Sequence, residues 1–340
     1  MAERVWAGIV GVGGCVPERV VTNRELESLV DTSDEWIRER TGIIERRIVR
    51  PEQSTSDLAV CAAQRALADA GVEPDAVDLI IVATATPDML FPATASLVQE
   101  RLGCKTAGAF DLSAGCTGFL YGLITGAQFI IAGTYRTVLV IGADVLSKIT
   151  DWEDRSTCVL FGDGAGAVVL QPVPAGYGLL ASCLGSDGSG ADLLKMPAGG
   201  SRLPASALTV EKGLHYLHMN GREVFRFAVR ILGEAASGVI RTAGLRQADI
   251  DLFIPHQANI RIIEAAAKRL ELPMERVLVN VDRYGNTSSA SIPLGLDEVV
   301  RSGRLAHGDR VVMVAFGAGL TWAAAAIRWY GARRQAAPTD

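Results

Sequence analysis

Two stretches of this chain repeat, and the repetition limits its fold more than any other feature. Ala70-Gly71-Val72, followed by Ala76-Val77-Asp78-Leu79-Ile80-Ile81, returns 173 residues later as Ala243-Gly244-Leu245, followed by Asp249-Ile250-Asp251-Leu252-Phe253-Ile254. Each copy reads as helix end, turn and buried strand. A second pair, Val159-Leu160-Phe161-Gly162-Asp163-Gly164 and Val314-Ala315-Phe316-Gly317-Ala318-Gly319, closes each half and leads into an Ala/Val run. Between these, Phe110-Asp111 ahead of Gly115-Cys116 parallels Val281-Asp282 ahead of Gly285-Asn286. That pairing puts Cys116 and Asn286 at matching ends of matching halves. Two copies of one unit predict two halves, 1–174 and 175–340, joined near Gln171–Gly178, with one site between them.

Strand patterns at 78–84, 137–142, 165–170, 251–255, 277–281 and 310–316 alternate with helix patterns at 55–70, 92–102, 116–132, 222–243, 260–270 and 288–302. This alternation predicts an α/β fold with helices covering the sheets. Unbroken apolar runs such as Thr137-Val138-Leu139-Val140-Ile141 suit central strands buried on both faces. Residues 185–213, rich in Gly, Ser and Pro, read as a long surface excursion.

At 340 residues and 49% apolar the chain can bury a large core, and its apolar runs are too short to span a membrane. It is expected to be soluble and, with no small-residue cleavage site after its start, cytoplasmic. The six cysteines, Cys15, Cys61, Cys104, Cys116, Cys158 and Cys183, form no C-x-x-C pair and read as free thiols. A net charge of −5 argues against nucleic acid as a partner. His215 and His218 lack further ligands nearby, so no metal is expected.

In AFDLSAGCTGFLYG a strand ends near Asp111 and a helix begins at about Cys116. A thiol there feels the positive end of the helix, which favours thiolate. Alone, Cys116 reads equally as a buried core cysteine. His256 follows the strand Leu252–Pro255, where a ligand crevice usually opens, though a lone His is more often structural. Asn286, in a turn before a helix, reads alone as a cap. The three together, each at a strand-to-helix junction, point to a site. GDGAG at 162–166 lacks the Lys and Ser/Thr of a phosphate loop and reads as backbone packing.

These residues, with Asp31-Thr32-Ser33-Asp34-Glu35-Trp36-Ile37, Arg40-Thr41-Gly42-Ile43, His256-Gln257-Ala258-Asn259 and Gly285-Asn286-Thr287-Ser288, resemble β-ketoacyl-acyl-carrier-protein synthase III over nearly the whole length. The resemblance implies a duplicated thiolase-like fold in α-β-α-β-α layers. It also implies an enzyme that loads a short acyl group from acyl-CoA onto Cys116 and condenses it, with decarboxylation, onto a malonyl-loaded acyl carrier protein, without a cofactor. His256 and Asn286 would stabilise the enolate, and the backbone N–H groups of Cys116 and Ala318 would form the oxyanion hole. Thr32, Trp36, Arg40, Arg155, Gly221 and Asn259 would bind coenzyme A. Leu146, Phe161, Phe316 and Phe91 would line the acyl pocket, with Phe91 sent across a homodimer. Arg226, Arg261, Lys268 and Arg269, on the basic faces of two helices, would dock the carrier, although such faces are usually just solvated. Elongating synthases carry a second His where Asn286 stands, and thiolases a second Cys where Ala318 stands. A polyketide-priming synthase or acyltransferase of the same fold remains the alternative. A non-catalytic scaffold is disfavoured because all three site residues are present, and a cysteine hydrolase because its local Cys signature is missing.

Overall fold

A computed structural model describes residues 5–331. The apolar runs of the first half become a five-stranded sheet: β1 (Trp6–Cys15), then, past the small hairpin of β2 (Arg19–Thr22) and β3 (Glu45–Ile48), β4 (Leu79–Ala83), β5 (Gly108–Leu112), β6 (Val138–Asp144) and β7 (Gly164–Val173). Their order is β1-β7-β6-β4-β5, with β6, β4 and β5 parallel and β7 and β1 antiparallel. The second half gives β8 (Gly178–Ser186), the two-residue pair β9 (Leu194–Lys195) and β10 (His218–Met219), then β11 (Leu252–Pro255), β12 (Arg310–Gly317) and β13 (Thr321–Arg328). Its main sheet runs β8-β13-β12-β11, again parallel at one end and antiparallel at the other. β8, β13, β12 and β11 thus repeat β1, β7, β6 and β4.

The fifth strand of the repeat, expected at 277–281, does not form. One parallel bridge joins Val277 to Phe253. Beyond it side chains take the backbone groups a ladder would use: Gln257 Oε1 accepts from Asn280 N (2.9 Å) and Val281 N (3.2 Å), and Arg304 donates to the Val277 carbonyl (3.0 Å).

The chain's helices are α1 (Asn23–Glu27), α2 (Asp34–Thr41), α3 (Thr55–Ala70), α4 (Thr94–Leu102), α5 (Gly118–Ile131), α6 (Arg155–Cys158), α7 (Ala207–Glu211), α8 (Gly221–Thr242), α9 (Ile260–Arg269), α10 (Val281–Tyr284) and α11 (Ser291–Arg301). They sort into layers by their apolar faces. α3 and α4 bury Leu58, Ala62, Ala66 and Val98 against Ile80, Leu139 and Ile141 on the outer face of the first sheet. α8 and α9 bury Leu232, Val239 and Ile263 against Phe253 and Val312 on the outer face of the second. α5 and α11 lie between the sheets, where Phe119, Leu123, Ile292 and Leu296 meet Val138, Ile254 and Met313. This is the α-β-α-β-α arrangement, and each fully buried side chain of this kind contributes about 1.5–3 kcal/mol. Ser54, whose backbone and hydroxyl reach Asp57, opens α3, and Gly71 at φ 61° closes it.

Three further expectations need correction. Cys15 and Cys61 are not free: β1 and α3 bring them together as a disulfide with Cα atoms 5.9 Å apart, a pairing that 46 residues of separation hid. Residues 185–213 are more than a surface excursion, because β8 runs to Ser186 and the segment after it helps wall the main cavity. Asn286 is not the counterpart of Cys116. Gly115 (φ 54°) and Ser288 (φ 51°) each open a short 3₁₀ turn, 115–117 and 288–290, that runs into α5 and α11 respectively. By that register Ser289 matches Cys116, and Asn286 stands three residues earlier.

Candidate active site

A cavity of about 800 Å³ takes its inner end from the buried His256, Asn286, Leu146, Phe161, Ser288 and Phe316 and the half-buried Cys116 and Ala318. Its exposed end carries Trp36, Arg40, Gly221, Arg222, Arg226, Asn259 and Arg261. Cys116 sits in the turn between β5 and α5, and residues 317–318 at the end of β12 press against it. A Cβ on Gly317 would lie 2.7 Å from Cys116 N, and one on Gly115 3.0 Å from Ala318 N. Only glycine lets the two backbones come this close. Gly317→Ala is therefore expected to displace the Cys116 turn and to slow the acyl loading implied by the sequence resemblance about 100-fold, read by rapid-quench mass spectrometry.

Part of Cys116 opens onto the cavity, but burial pushes its thiol up to about 12, and the Asp144 carboxylate pushes the same way. The hydroxyl of Ser288, 3.4 Å from Sγ, is the larger of two opposing influences, the other being the backbone of Cys116 itself. The net upward direction is the opposite of the one expected from the helix start.

β11 carries His256 into the site, and its backbone N–H donates to the Val314 carbonyl of β12 (2.8 Å). The ring meets Phe316 edge-on at 5.4 Å, and Nδ1 shares a 2.7 Å hydrogen bond with Ser291 Oγ. Nε2 is buried with no partner. Burial pushes the imidazole down to about 3, so it is neutral at physiological pH. The unfolded chain, with His near 6.5, takes up this proton first, so His256 makes the fold lose stability as pH falls from about 6.5 to 3. Denaturant titrations between pH 7 and 4 should show a smaller acid-induced loss in His256→Gln than in wild type.

Asn286 is fixed from three sides. Its N–H donates to Leu160 O (2.8 Å), its carbonyl accepts from Gly162 N (3.0 Å), and its Oδ1 accepts from Ser288 N (2.9 Å). With Oδ1 engaged, the side-chain NH₂ is the group left for the cavity.

The outer residues divide. The Arg155 guanidinium stacks 4.6 Å over the Trp36 ring and donates to Asp31 O (2.7 Å). Asn259 donates to Arg40 O (2.9 Å) and caps α9, so its side chain already has structural work. Thr32 Oγ1 is buried without a partner, and Thr32 does not line the cavity. Arg226, paired with Glu223 (2.8 Å), and Arg261 are at the mouth, whereas Lys268 and Arg269 are outside it and Arg269 reaches Glu234 (3.4 Å). Phe91 is 84% exposed beside Leu90 at 79%, and it touches no part of the cavity within one chain. Sequence reasoning missed Ser288 and Ser291, and also Ile149, Leu217 and Met219 on the cavity wall. The run of small hydroxyls in Thr287-Ser288-Ser289-Ala290-Ser291 was the available signal.

The family model described as 3-oxoacyl-[acyl-carrier-protein (ACP)] synthase III matches residues 110–188, which carry Cys116, and its C-terminal counterpart matches 240–329, which carry His256 and Asn286. A curated β-ketoacyl-[acyl-carrier-protein] synthase III from Caldanaerobacter subterraneus subsp. tengcongensis is 58% identical over 97% of this chain and 99% of its own. The chain belongs to the β-ketoacyl-acyl-carrier-protein synthase III family. The solved synthase III of Thermus thermophilus superposes with a TM-score of 0.89 at 52% identity, covering 95% of this chain and 99% of that one. A priming β-ketosynthase of the R1128 polyketide pathway has the same fold at 39% identity and a TM-score of 0.88, covering 97% and 98%. Membership of this family sets the cysteine hydrolase reading aside.

Proposed function

We propose that this enzyme starts fatty-acid synthesis by loading an acyl group from acyl-CoA onto Cys116 and condensing it with a malonyl-loaded acyl carrier protein. The observation that carries the reading is the meeting of Cys116, His256 and Asn286 at the buried end of one cavity whose mouth is basic. In the first step Sγ bonds to the acyl carbon and the bond from that carbon to the coenzyme A sulfur breaks. The proton from Cys116 leaves on that sulfur. The oxyanion lies at the backbone N–H groups of Cys116 and Ala318, each worth about 3 kcal/mol of barrier. Trp36, Arg40 and Arg155 hold the nucleotide, with Thr32, Gly221 and Asn259 beside it. No cofactor is needed, since coenzyme A arrives as part of the substrate.

In the second step the malonyl carboxylate leaves as carbon dioxide. Ser291 donates to Nδ1, which keeps the proton of the neutral imidazole on Nε2. That N–H and the Asn286 NH₂ hold the enolate oxygen while its carbon attacks the acyl-Cys116 carbonyl. The carbon–sulfur bond breaks, and the thiolate regains a proton from water. A protonated His256 or a cationic residue in place of Asn286 would trap the malonyl carboxylate and an anionic one would repel it, so neutrality suits both positions. Arg226 and Arg261 meet the acidic carrier at the mouth, with Lys268 and Arg269 extending the basic surface. Leu146, Phe161 and Phe316 shape the acyl pocket, and Phe91, exposed in one chain, closes it across a homodimer.

Coenzyme A release with acetyl-, isobutyryl- and octanoyl-CoA, each followed by malonyl-carrier protein, tests the reading and identifies the primer. A short donor giving β-ketoacyl-carrier protein supports it. Acyl loading without condensation would instead support the acyltransferase alternative.

A further inference from the structure

We infer that Ser288 is a catalytic residue of this enzyme: its hydroxyl donates to the Cys116 sulfur and stabilises it as the thiolate. The argument starts from the backbone. Ser288 has φ 51°, in the left-handed region where a side chain is costly and glycine is not. At the matching place in the first half the chain uses glycine, Gly115, at φ 54°. Nothing in the backbone asks for serine here, so the reason for it lies in the side chain. Its Oγ is 3.4 Å from Cys116 Sγ, and the residue is 3% exposed. A hydroxyl donating to a partly buried anionic sulfur is a charge-assisted bond, among the strongest a neutral side chain can make.

The surroundings hold the hydroxyl in place. Ser288 N donates to Asn286 Oδ1 (2.9 Å), so one residue fixes Asn286 with its backbone and reaches Cys116 with its side chain. The next residue is anchored from below: the buried Asp144 carboxylate accepts from Ser289 N (3.0 Å) and Ser289 Oγ (2.7 Å), and also from Ala85 N (2.7 Å). Asp144 is thus a positioning residue for the turn. The Cys116 turn packs against β12, β13, α5 and the 288–290 turn. Tyr121 of α5 donates to Gly185 O, and Arg310 and Arg328 stand at the far ends of β12 and β13. His256, across the cavity, and Asp144 are therefore the titratable groups that face the sulfur, and neither supplies it with a positive charge near neutral pH.

This inference rests on Cys116 being the nucleophile, and the test separates the two claims. Ser288→Gly removes the hydroxyl and relieves the backbone, so the variant should fold with undiminished thermal stability; Ser288→Ala keeps the strain and serves as a second variant. The rate of Cys116 alkylation by iodoacetamide between about pH 7 and 9, read by peptide mass, tracks the small thiolate fraction without any acyl-CoA. In both variants that rate should fall about 3- to 10-fold at each pH, and acetyl loading at pH 7 should slow about tenfold. Unchanged alkylation rates in both folded variants would overturn the role of Ser288, whatever the wild type does with acyl-CoA. Loss of acyl loading in wild type with alkylation still slowed in the variants would overturn the function proposed for the site and leave the Ser288 interaction standing.

Discussion

Mixed with acetyl-CoA, the wild-type protein should gain the mass of one acetyl group on the peptide containing Cys116, and Cys116→Ala should gain none. Synthesis of β-ketoacyl-carrier protein should fall about 10⁴-fold or more, because the covalent route has no substitute nucleophile in the cavity. Ser288 and Ser289 are nearby, but Ser289 Oγ is held by Asp144 and Ala83 O, and an unactivated serine hydroxyl is a far weaker nucleophile than a thiolate. Folding should be unaffected, since Cys116 lines a cavity rather than filling a core. Intact-protein and peptide mass spectrometry decide the first part, and steady-state condensation assays the second.

Asn286→Asp should separate the two half-reactions. Oδ1 can still accept from Ser288 N, so the turn and the Cys116 contact persist. The NH₂ donor is gone, and a carboxylate now faces the place where the malonyl carboxylate must enter. Acetyl loading should stay within about threefold of wild type, while condensation drops about 10²–10³-fold, the usual effect of losing one preorganised donor to a developing oxyanion. His256→Ala should give the same pattern. Equal losses in both half-reactions would mean that these residues serve the fold or the first step instead.

Much of the molecule was legible in its sequence because the signals were local. α3 ends where Ala70-Gly71 said it would, since a left-handed C-cap is written in the residue itself. The buried runs of β4 and β6 could hardly be anything but central strands. What failed depended on distant partners. Residues 277–281 have a strand's composition, yet Gln257 and Arg304 take their backbone groups. Gly115 was aligned with Gly285 by identity, but the residue that turns the chain in the second half is Ser288, a serine in a glycine's conformation. Cys116 at a helix start suggested a thiolate; desolvation at the inner end of the cavity, which no window of sequence contains, pushes the thiol the other way. The Cys15–Cys61 pair likewise needed β1 and α3 side by side.

The most direct test of the central claim is a single turnover. Acetyl-enzyme would be prepared from acetyl-CoA, freed of coenzyme A by gel filtration, and mixed with malonyl-carrier protein while enzyme mass, carbon dioxide and carrier-protein mass are followed together. Loss of the acetyl group from Cys116, release of one equivalent of carbon dioxide and appearance of acetoacetyl-carrier protein at the same rate is the result expected. Acetyl-Cys116 that persists, or that is lost to water as acetate with no new carbon–carbon bond, would contradict the assignment of Cys116, His256 and Asn286 as a condensing site.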